Sequence, residues 1–257
     1  DLKESQSDFK PLVPTVPLDA YNFGVHALPQ YADRVGNWEL LMEFPPFEDD
    51  VDKGEEMWNT PFKNGKTYAS CFQNGGKGLA AYYPFYDKDT KKMHTIEADI
   101  NECRVRNGEE PIKNLKNGDM ARLVIAFKRL SNGKKMAVKL NSPEAVAVYE
   151  KGKQFYWARR GQLNFSCANC HVQNAGNKIR GDVLSAALGH GTGFPVYRTK
   201  WAQSNKPLGT IHRRYGGCNK QVRAKPLKPQ SDPYVALELY QAYMNTGVPI
   251  KVPSQRQ

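Results

Sequence analysis

Apolar residues recur at helix-like intervals in two stretches of this 257-residue chain, and each stretch leads towards a cysteine. The first helix is predicted to begin near Asp50, a plausible N-cap, and the second spans residues 143–160 behind a Ser142 cap. The apolar positions are Val51, Met57 and Trp58 in the first and Val146, Tyr149, Phe155 and Tyr156 in the second. Both patterns indicate amphipathic helices that pack against a core.

A second pair of amphipathic helices is predicted over residues 119–133 and 232–247, each ended by the Asn or Gly typical of a C-cap. Their apolar positions are Met120, Leu123, Val124, Phe127 and Leu130 in one and Val235, Leu239 and Tyr243 in the other. No apolar run approaches the roughly 18 residues that a membrane-spanning helix needs. A mainly α fold without a membrane span is therefore predicted.

The two helix pairs occur in the same order in each half of the chain. Lys53-Gly54 precedes Cys71 much as Lys151-Gly152 precedes Cys167, and Ser70 stands before the first cysteine as Ser166 stands before the second. This self-similarity predicts two cytochrome c-like domains related by internal duplication. Residues 51–145 would form the first, residues 146–257 the second, and the proline-rich residues 1–50 an extended N-terminal arm.

Cys167-Ala168-Asn169-Cys170-His171 is the attachment motif of a c-type haem: both thiols bond the haem vinyl groups, and the histidine binds the iron from the same turn. A disulfide, a zinc site and a thioredoxin-like pair are the alternatives. Zinc would need further ligands, yet the other histidines, at positions 26, 94, 190 and 212, are scattered singly. One covalent haem is predicted.

The second axial ligand of the iron is less evident from the sequence. Met244, the only methionine after His171, falls near the end of a predicted helix. Cys218 is favoured because Tyr215-Gly216-Gly217 before it reads as a flexible turn that lets the backbone approach a cofactor. His190 and His212 remain competing candidates.

Cations surround Cys218. Residues 212–225 hold five Arg or Lys, in a chain with a formal net charge of +11. Nearby cations lower a thiol pKa and would hold a small dianion against the sulfur. The plainer interpretation is that Arg213, Lys220 and Lys225 are solvated surface charges, as expected for at least half of the five.

The haem motif, the segment Arg-Arg-Tyr-Gly-Gly-Cys-Asn-Lys-Gln-Val-Arg around Cys218 and the duplicated layout resemble the SoxA family, the larger cytochrome subunits of thiosulfate-oxidising SoxAX complexes. The resemblance implies that Cys218 is the distal haem ligand and the reactive sulfur, often a persulfide, and that Arg214 steadies anionic sulfur species. It implies oxidative joining of thiosulfate to a cysteine of a SoxYZ-like carrier, with electrons passing through haem to a SoxX-like cytochrome.

The first half departs from the dihaem members of that family, because Asn74 and Gly75 stand where the second cysteine and the histidine would be. A monohaem protein is therefore expected. Cys71 and Cys103 would then form a disulfide whose loop of about 33 residues stabilises the fold by roughly 3–4 kcal/mol in the chain-entropy model. The start at Asp1, without a signal peptide, fits a processed periplasmic protein.

Two other function classes are weighed against this enzyme subunit. One is an electron-transfer cytochrome in which Cys218 only lowers the haem potential by thiolate ligation. The other is a basic nucleic-acid-binding module, which lacks a recognisable motif and leaves the haem motif unexplained.

Overall fold

The computed structural model describes residues 2–10, 17–24, 32–179 and 182–256. Helices dominate this part of the chain. They are α1 (Leu2–Phe9), α2 (Ala32–Glu43), α3 (Glu48–Asn59), α4 (Ile96–Arg106), α5 (Asp119–Arg129), α6 (Pro143–Trp157), α7 (Thr199–Ala202), α8 (Ile211–Gln221) and α9 (Asp232–Met244). Short 3-10 turns lie at Leu18–Gly24, Tyr68–Cys71, Gln73–Gly76, Leu79–Tyr82 and Gly191–Gly193, and a π turn lies at Asn169–Gln173.

The strands are short and lie in small antiparallel or mixed sheets. They are β1 (Phe85–Asp87), β2 (Lys92–His94), β3 (Lys178–Ile179), β4 (Asp182–Val183), β5 (Val196–Arg198), β6 (Leu208–Gly209) and β7 (Ser254–Arg256). β1 pairs with β2 and β3 with β4, while β5 is the centre of a three-stranded sheet, antiparallel to β6 and parallel to β7. The predicted mainly α composition agrees with this arrangement.

Two helix pairs, α3 with α5 and α6 with α9, form the frame of the fold. In each pair a glycine allows the helix backbones to touch: a Cβ on Gly54 would lie 2.5 Å from the Arg122 carbonyl oxygen, and one on Gly152 would lie 2.0 Å from that of Ala236. These two glycines belong to Lys53-Gly54 and Lys151-Gly152, the pairs that occupy matching positions in the two halves of the sequence. The shared contact is what a duplication predicts, and the duplication itself stays a prediction.

The boundaries of the predicted helices need small corrections. α6 begins as expected, since the Ser142 Oγ accepts a hydrogen bond from the Ala145 N–H at 3.1 Å. α3 instead begins at Glu48, after Phe47, rather than at Asp50. Val146 was wrongly placed on the buried face of α6: it is 42% exposed, because the face that meets α9 is formed by Tyr149, Gly152 and Tyr156.

The description of the N-terminal arm as extended is wrong for its described residues, because α1 and α2 are helices in two stretches that contain no proline. The proline-rich residues 11–16, like His26, lie outside the described residues. α1 packs on the second half of the chain: Phe9 meets Tyr240 edge-on at 5.3 Å between ring centroids. The Gln6 amide also donates to the Met244 carbonyl at 2.8 Å.

The two halves share backbone hydrogen bonds. The Met136 N–H donates to the Val248 carbonyl at 3.0 Å, and the Gly247 N–H donates back to the Met136 carbonyl at 2.8 Å. A continuous set of buried apolar residues runs through both halves. The proposed domain boundary near residue 145 therefore stays a prediction.

Aromatic rings and a disulfide fill the first half at the position aligned with the haem motif. Cys71 and Cys103 are bonded, with their Cα atoms 5.8 Å apart. Trp58 stacks near Tyr68 at 5.4 Å and near Phe72 at 5.6 Å between ring centroids. No helix among the described residues is long and apolar enough to cross a membrane.

Replacing Gly152 with Ala tests the α6–α9 contact. The new methyl group would meet the Ala236 carbonyl, so we expect a loss of about 2–3 kcal/mol in the free energy of unfolding, measured in urea. The control is Lys151→Ala, one residue earlier and exposed, which should change stability by less than about 0.5 kcal/mol. Equal effects of the two changes would contradict the close approach.

Candidate functional site

A reciprocal pair of hydrogen bonds shapes the turn that carries Cys167 and Cys170. The Asn169 Oδ1 accepts from the Ser166 N–H at 2.8 Å, and the Ser166 Oγ accepts from the Asn169 N–H at 3.1 Å. This arrangement resembles a capping box, with Asn in place of the usual Glu or Gln. It starts a single wide turn, so that Cys167, Cys170 and His171 leave the backbone from one short segment.

His171 is oriented by a backbone carbonyl fourteen residues further along the chain. Its Nδ1 lies 2.9 Å from the Ser185 carbonyl oxygen. A carbonyl only accepts hydrogen bonds, so Nδ1 carries a proton, and Nε2 is the nitrogen left to bind a metal or, while protonated, to donate to the Cys218 sulfur. Metal-binding histidines show this arrangement: the distal nitrogen donates to a carbonyl and the other binds the metal.

The His171 ring lines a cavity formed by the turn, α6, α8 and α9. The cavity is lined by Phe155, Cys167, His171, His190, Gly191, Phe194, Ile211, Arg214, Tyr215, Cys218, Asn219, Leu237 and Gln241. The structure thus brings Arg214 and Cys218 to the same cavity as the haem motif, across about 50 residues of chain.

The three free thiols of the chain differ in acidity. Burial raises the pKa of Cys167 to about 12, and burial followed by the charge of Cys218 raises that of Cys170. Burial would also raise the pKa of Cys218, but Arg214 and a hydrogen bond from His171 outweigh it and lower the pKa to about 7. Cys218 is therefore the thiol held ready as a nucleophilic thiolate near neutral pH.

The donor set of this cavity fits a covalently attached haem. Cys167 and Cys170 are free thiols on one turn, as thioether formation requires, and the hydrogen bond of His171 Nδ1 to the Ser185 carbonyl leaves Nε2 for an iron ion. The Cys218 thiol lies against the His171 ring within the same cavity, so a soft sulfur ligand and an imidazole face each other.

The other three candidates for the second iron ligand are less well placed than Cys218. Met244 is fully buried, and the Tyr149 hydroxyl donates to its sulfur at 3.5 Å, so it does not line the cavity. His212 is directed towards Glu238 and also lies outside the lining. His190 lines the cavity, but its ring centroid is 5.1 Å from that of His171 and its Nδ1 is 2.9 Å from the Ser185 hydroxyl, which places it beside the predicted proximal ligand.

Two expectations about the segment around Cys218 are wrong. Cys218 does not follow a flexible turn: Gly216 and Gly217 lie inside α8, and a Cβ on Gly217 would meet no atom within 4 Å. Arg213 is not a solvated charge, because it stacks 4.0 Å over the Trp201 ring and donates to the Lys206 carbonyl at 2.6 Å. The remaining cations other than Arg214 are exposed, namely Lys220, Arg223 and Lys225.

Comparisons with known proteins identify the family of this chain. It is 44% identical over 257 residues to the L-cysteine S-thiosulfotransferase subunit SoxA of Chlorobaculum tepidum, covering 100% of this chain and 87% of that protein. It is 42% identical to the SoxA subunit of Allochromatium vinosum, covering 98% of this chain and 88% of the relative. This chain belongs to the SoxA family.

The structural comparison agrees with that membership. The crystal structure of SoxXA from P. pantotrophus matches with a TM-score of 0.76 and 34% identity, covering 86% of this chain and 84% of that one. The family model of the SoxA/TsdA cytochrome c domain matches residues 53–136, which lie in the first half and not at the cavity. The resemblance drawn from the sequence is therefore confirmed at the level of the family.

Several residues that shape the site in this SoxA-family chain were missed by sequence reasoning. Ser166 and Asn169 had a usable indication, since a Ser with a polar residue three positions later is a helix-start pattern. No sequence pattern indicated Ser185, because it acts through its backbone carbonyl, fourteen residues after His171. Arg198 is buried on β5 and also lowers the pKa of Cys218, and its distance of twenty residues from that cysteine concealed it.

Replacing Asn169 with Ala tests the turn without changing the Cys-x-x-Cys-His pattern. The Ser166 N–H and Oγ would lose their acceptor, so we expect a loss of about 1–3 kcal/mol in unfolding free energy. The control is Asn177→Ala, whose amide donates only to exposed Asn174 at 3.2 Å. Urea unfolding of both variants would contradict the assignment if Asn177→Ala proved as damaging.

Proposed function

We propose that this chain is the thiosulfate-conjugating subunit of a SoxAX-type L-cysteine S-thiosulfotransferase. The observation that carries the proposal is the Cys218 thiol, with its pKa lowered to about 7, in the cavity that Cys167 and His171 also line. Relatives 42–44% identical over nearly the whole chain bear that enzyme name. The duplicated two-domain layout is part of the same proposal, supported by the matching Gly54 and Gly152 contacts.

One haem c is proposed in this cavity. Cys167 and Cys170 would hold it covalently, and His171 and Cys218 would be its axial ligands. When bound, the haem would supply an electron acceptor beside the reacting sulfur. The first half would carry none, since Cys71 is bonded to Cys103 and aromatic rings fill the aligned region.

The proposed reaction joins the sulfane sulfur of thiosulfate to a cysteine thiol of a SoxYZ-like carrier. One S–S bond forms and one S–H bond breaks. One proton and two electrons are released, and the electrons leave to a SoxX-like partner cytochrome. Such chemistry requires a nucleophilic sulfur, a site for the anion and a redox partner.

The residues of this chain fit the first two requirements. Arg214 favours the thiolate form of Cys218 near neutral pH, and His171 does so while its ring is not bound to iron. Arg214 lines the cavity, and its planar guanidinium suits bidentate binding of a sulfonate. Burial of the sulfur strengthens both interactions, since electrostatic attraction grows as water is excluded.

The partner and location follow from the same proposal. The matched crystal structure is of a SoxXA complex, which supports a small c-type cytochrome as the partner. Attachment of haem to a Cys-x-x-Cys-His motif and a disulfide between Cys71 and Cys103 both favour an oxidising compartment, here the periplasm.

Replacing Cys218 tests the catalytic assignment. In Cys218→Ala, haem held by Cys167 and Cys170 should remain, while thiosulfate-dependent modification of the carrier cysteine should fall roughly 10³-fold or more. Cys218→Met retains a sulfur ligand without a nucleophile and should fall as far. Full activity in either variant, measured by mass spectrometry of the carrier, would leave only the electron-transfer role.

Replacing Arg214 separates anion binding from haem retention. Arg214→Ala should lower kcat/KM for thiosulfate roughly 10- to 100-fold at unchanged haem content, and Arg214→Lys should recover only part of it. The control is Lys220→Ala, an exposed cation on the same helix, which should leave kcat/KM within about twofold. Equal losses in Arg214→Ala and Lys220→Ala would reduce Arg214 to a general contribution to the surface charge.

A further inference from the structure

Four ionisable side chains from four helices meet in the seam between the two halves. They are Glu97 on α4, Lys128 on α5, His212 on α8 and Glu238 on α9. Glu97 is 3% exposed and His212 is 1% exposed. We name this set the seam cluster. Charged side chains are rarely buried so deeply without a pairing that compensates for the lost hydration.

Hydrogen bonds define the charge of two members of the seam cluster. Lys128 Nζ donates to the Phe194 carbonyl at 2.6 Å, which suits an ammonium group. The His212 Nδ1 accepts from the Gln230 backbone N–H at 2.9 Å. A nitrogen that accepts cannot carry a proton, so His212 is neutral and its hydrogen is on Nε2.

The facing side-chain atoms of His212 and Glu238 form no hydrogen bond among the described residues. The His212 Nε2 lies 3.0 Å from the Glu238 Oε2, yet the two groups are not aligned as a hydrogen bond, and neither atom has another hydrogen-bond partner among the described residues. With His212 neutral and Lys128 positive, two ionised carboxylates give the seam cluster a net charge of −1. A single added proton makes it neutral.

The environment identifies Glu97 as the member that binds this proton. Burial, and then the charge of Glu238, raise the pKa of Glu97 to about 7. Burial lowers the pKa of Lys128, against the attraction of Glu238 and Glu97. Tyr83, the other titratable group on the wall, donates to the Asp99 Oδ2 at 2.6 Å, and burial raises its pKa, so it stays protonated.

The seam cluster adjoins the Cys218 cavity. Glu97, Lys128 and Glu238 line a second cavity. The two cavities share four lining residues, Gly191, Phe194, Ile211 and Gln241. The Gln241 side chain also accepts a hydrogen bond from the Tyr215 hydroxyl, whose ring lies on the Cys218 side. A charge placed in one cavity therefore acts on the other across a single layer of protein.

We propose that the seam cluster is an internal proton-binding site that takes up one proton, at Glu97, when an electron enters the neighbouring Cys218 cavity. The added negative charge raises the affinity of the buried carboxylate for a proton, which solvent supplies, and no covalent bond between heavy atoms changes. This inference rests on the proposed haem in the Cys218 cavity.

The test is a spectroelectrochemical titration of the purified holoprotein at several pH values between 5 and 9. One proton per electron changes the oxidation equilibrium tenfold per pH unit, so the midpoint potential of the wild type should fall as the pH rises above about 7, with a slope approaching 59 mV per pH unit. In Glu97→Gln the slope should largely vanish. The control Glu102→Gln, on the same helix with a 58% exposed side chain, should keep it.

A second measurement does not depend on haem. Because Glu97 binds its proton more tightly in the folded than in the unfolded chain, the wild type loses stability as pH rises from 4.5 to about 7. The unfolding equilibrium constant should rise by up to roughly two orders of magnitude from this group, and Glu97→Gln should lack that component. Glu238→Gln, which removes the repelling charge, should lower the pH at which the loss occurs and serves if Glu97→Gln does not fold.

The outcomes separate this inference from the proposed function. A pH-independent potential in haem-loaded wild type, or an unchanged slope in Glu97→Gln, would overturn the proton site and leave the haem assignment intact. A wild-type protein without covalent haem at Cys167 and Cys170 would overturn both. Loss of the slope in Glu97→Gln alone, with Glu102→Gln unchanged, supports the inference.

Discussion

The contact of α6 with α9 is the constraint on which the site depends. Gly152 lets the two helix backbones touch, with space for no side-chain carbon between them. α6 ends ten residues before Cys167, the first residue of the haem motif, and supplies Phe155 to the cavity wall. α9 supplies Leu237 and Gln241 to the same wall. A wider spacing of these helices would open the cavity to water and weaken the interactions that set the state of Cys218.

Electrostatics then assigns different chemistry to thiols that share one cavity. Burial, and then the charge of Cys218, raise the pKa of Cys167 to about 12, which leaves it a neutral thiol suited to stable attachment. Cys218 is half-buried, and Arg214 and His171 together favour its thiolate. In the seam cluster, burial and the charge of Glu238 act in the same direction and raise the pKa of the Glu97 carboxyl group to about 7.

The sequence predicted the parts of the fold that local patterns govern. The helix behind Ser142 and the helix that begins at Asp232 followed from apolar spacing and capping, and the family followed from a resemblance in the haem motif and the segment around Cys218. The helical state of Gly216 and Gly217 did not, because α8 is held by its neighbours and not by the propensity of its residues. No sequence pattern indicated that Glu97 and Lys128 belong to a buried cluster, because that cluster forms only where four helices from distant parts of the chain converge.

The central proposal is that Cys218 and His171 would both bind the iron of one haem held in the cavity that they line. The most direct measurement is the electron paramagnetic resonance spectrum of the oxidised holoprotein, compared with Cys218→Met and His190→Ala. The account predicts a low-spin ferric spectrum of thiolate–histidine ligation that is lost in Cys218→Met and kept in His190→Ala. A spectrum unchanged by Cys218→Met, or one altered only by His190→Ala, would contradict it.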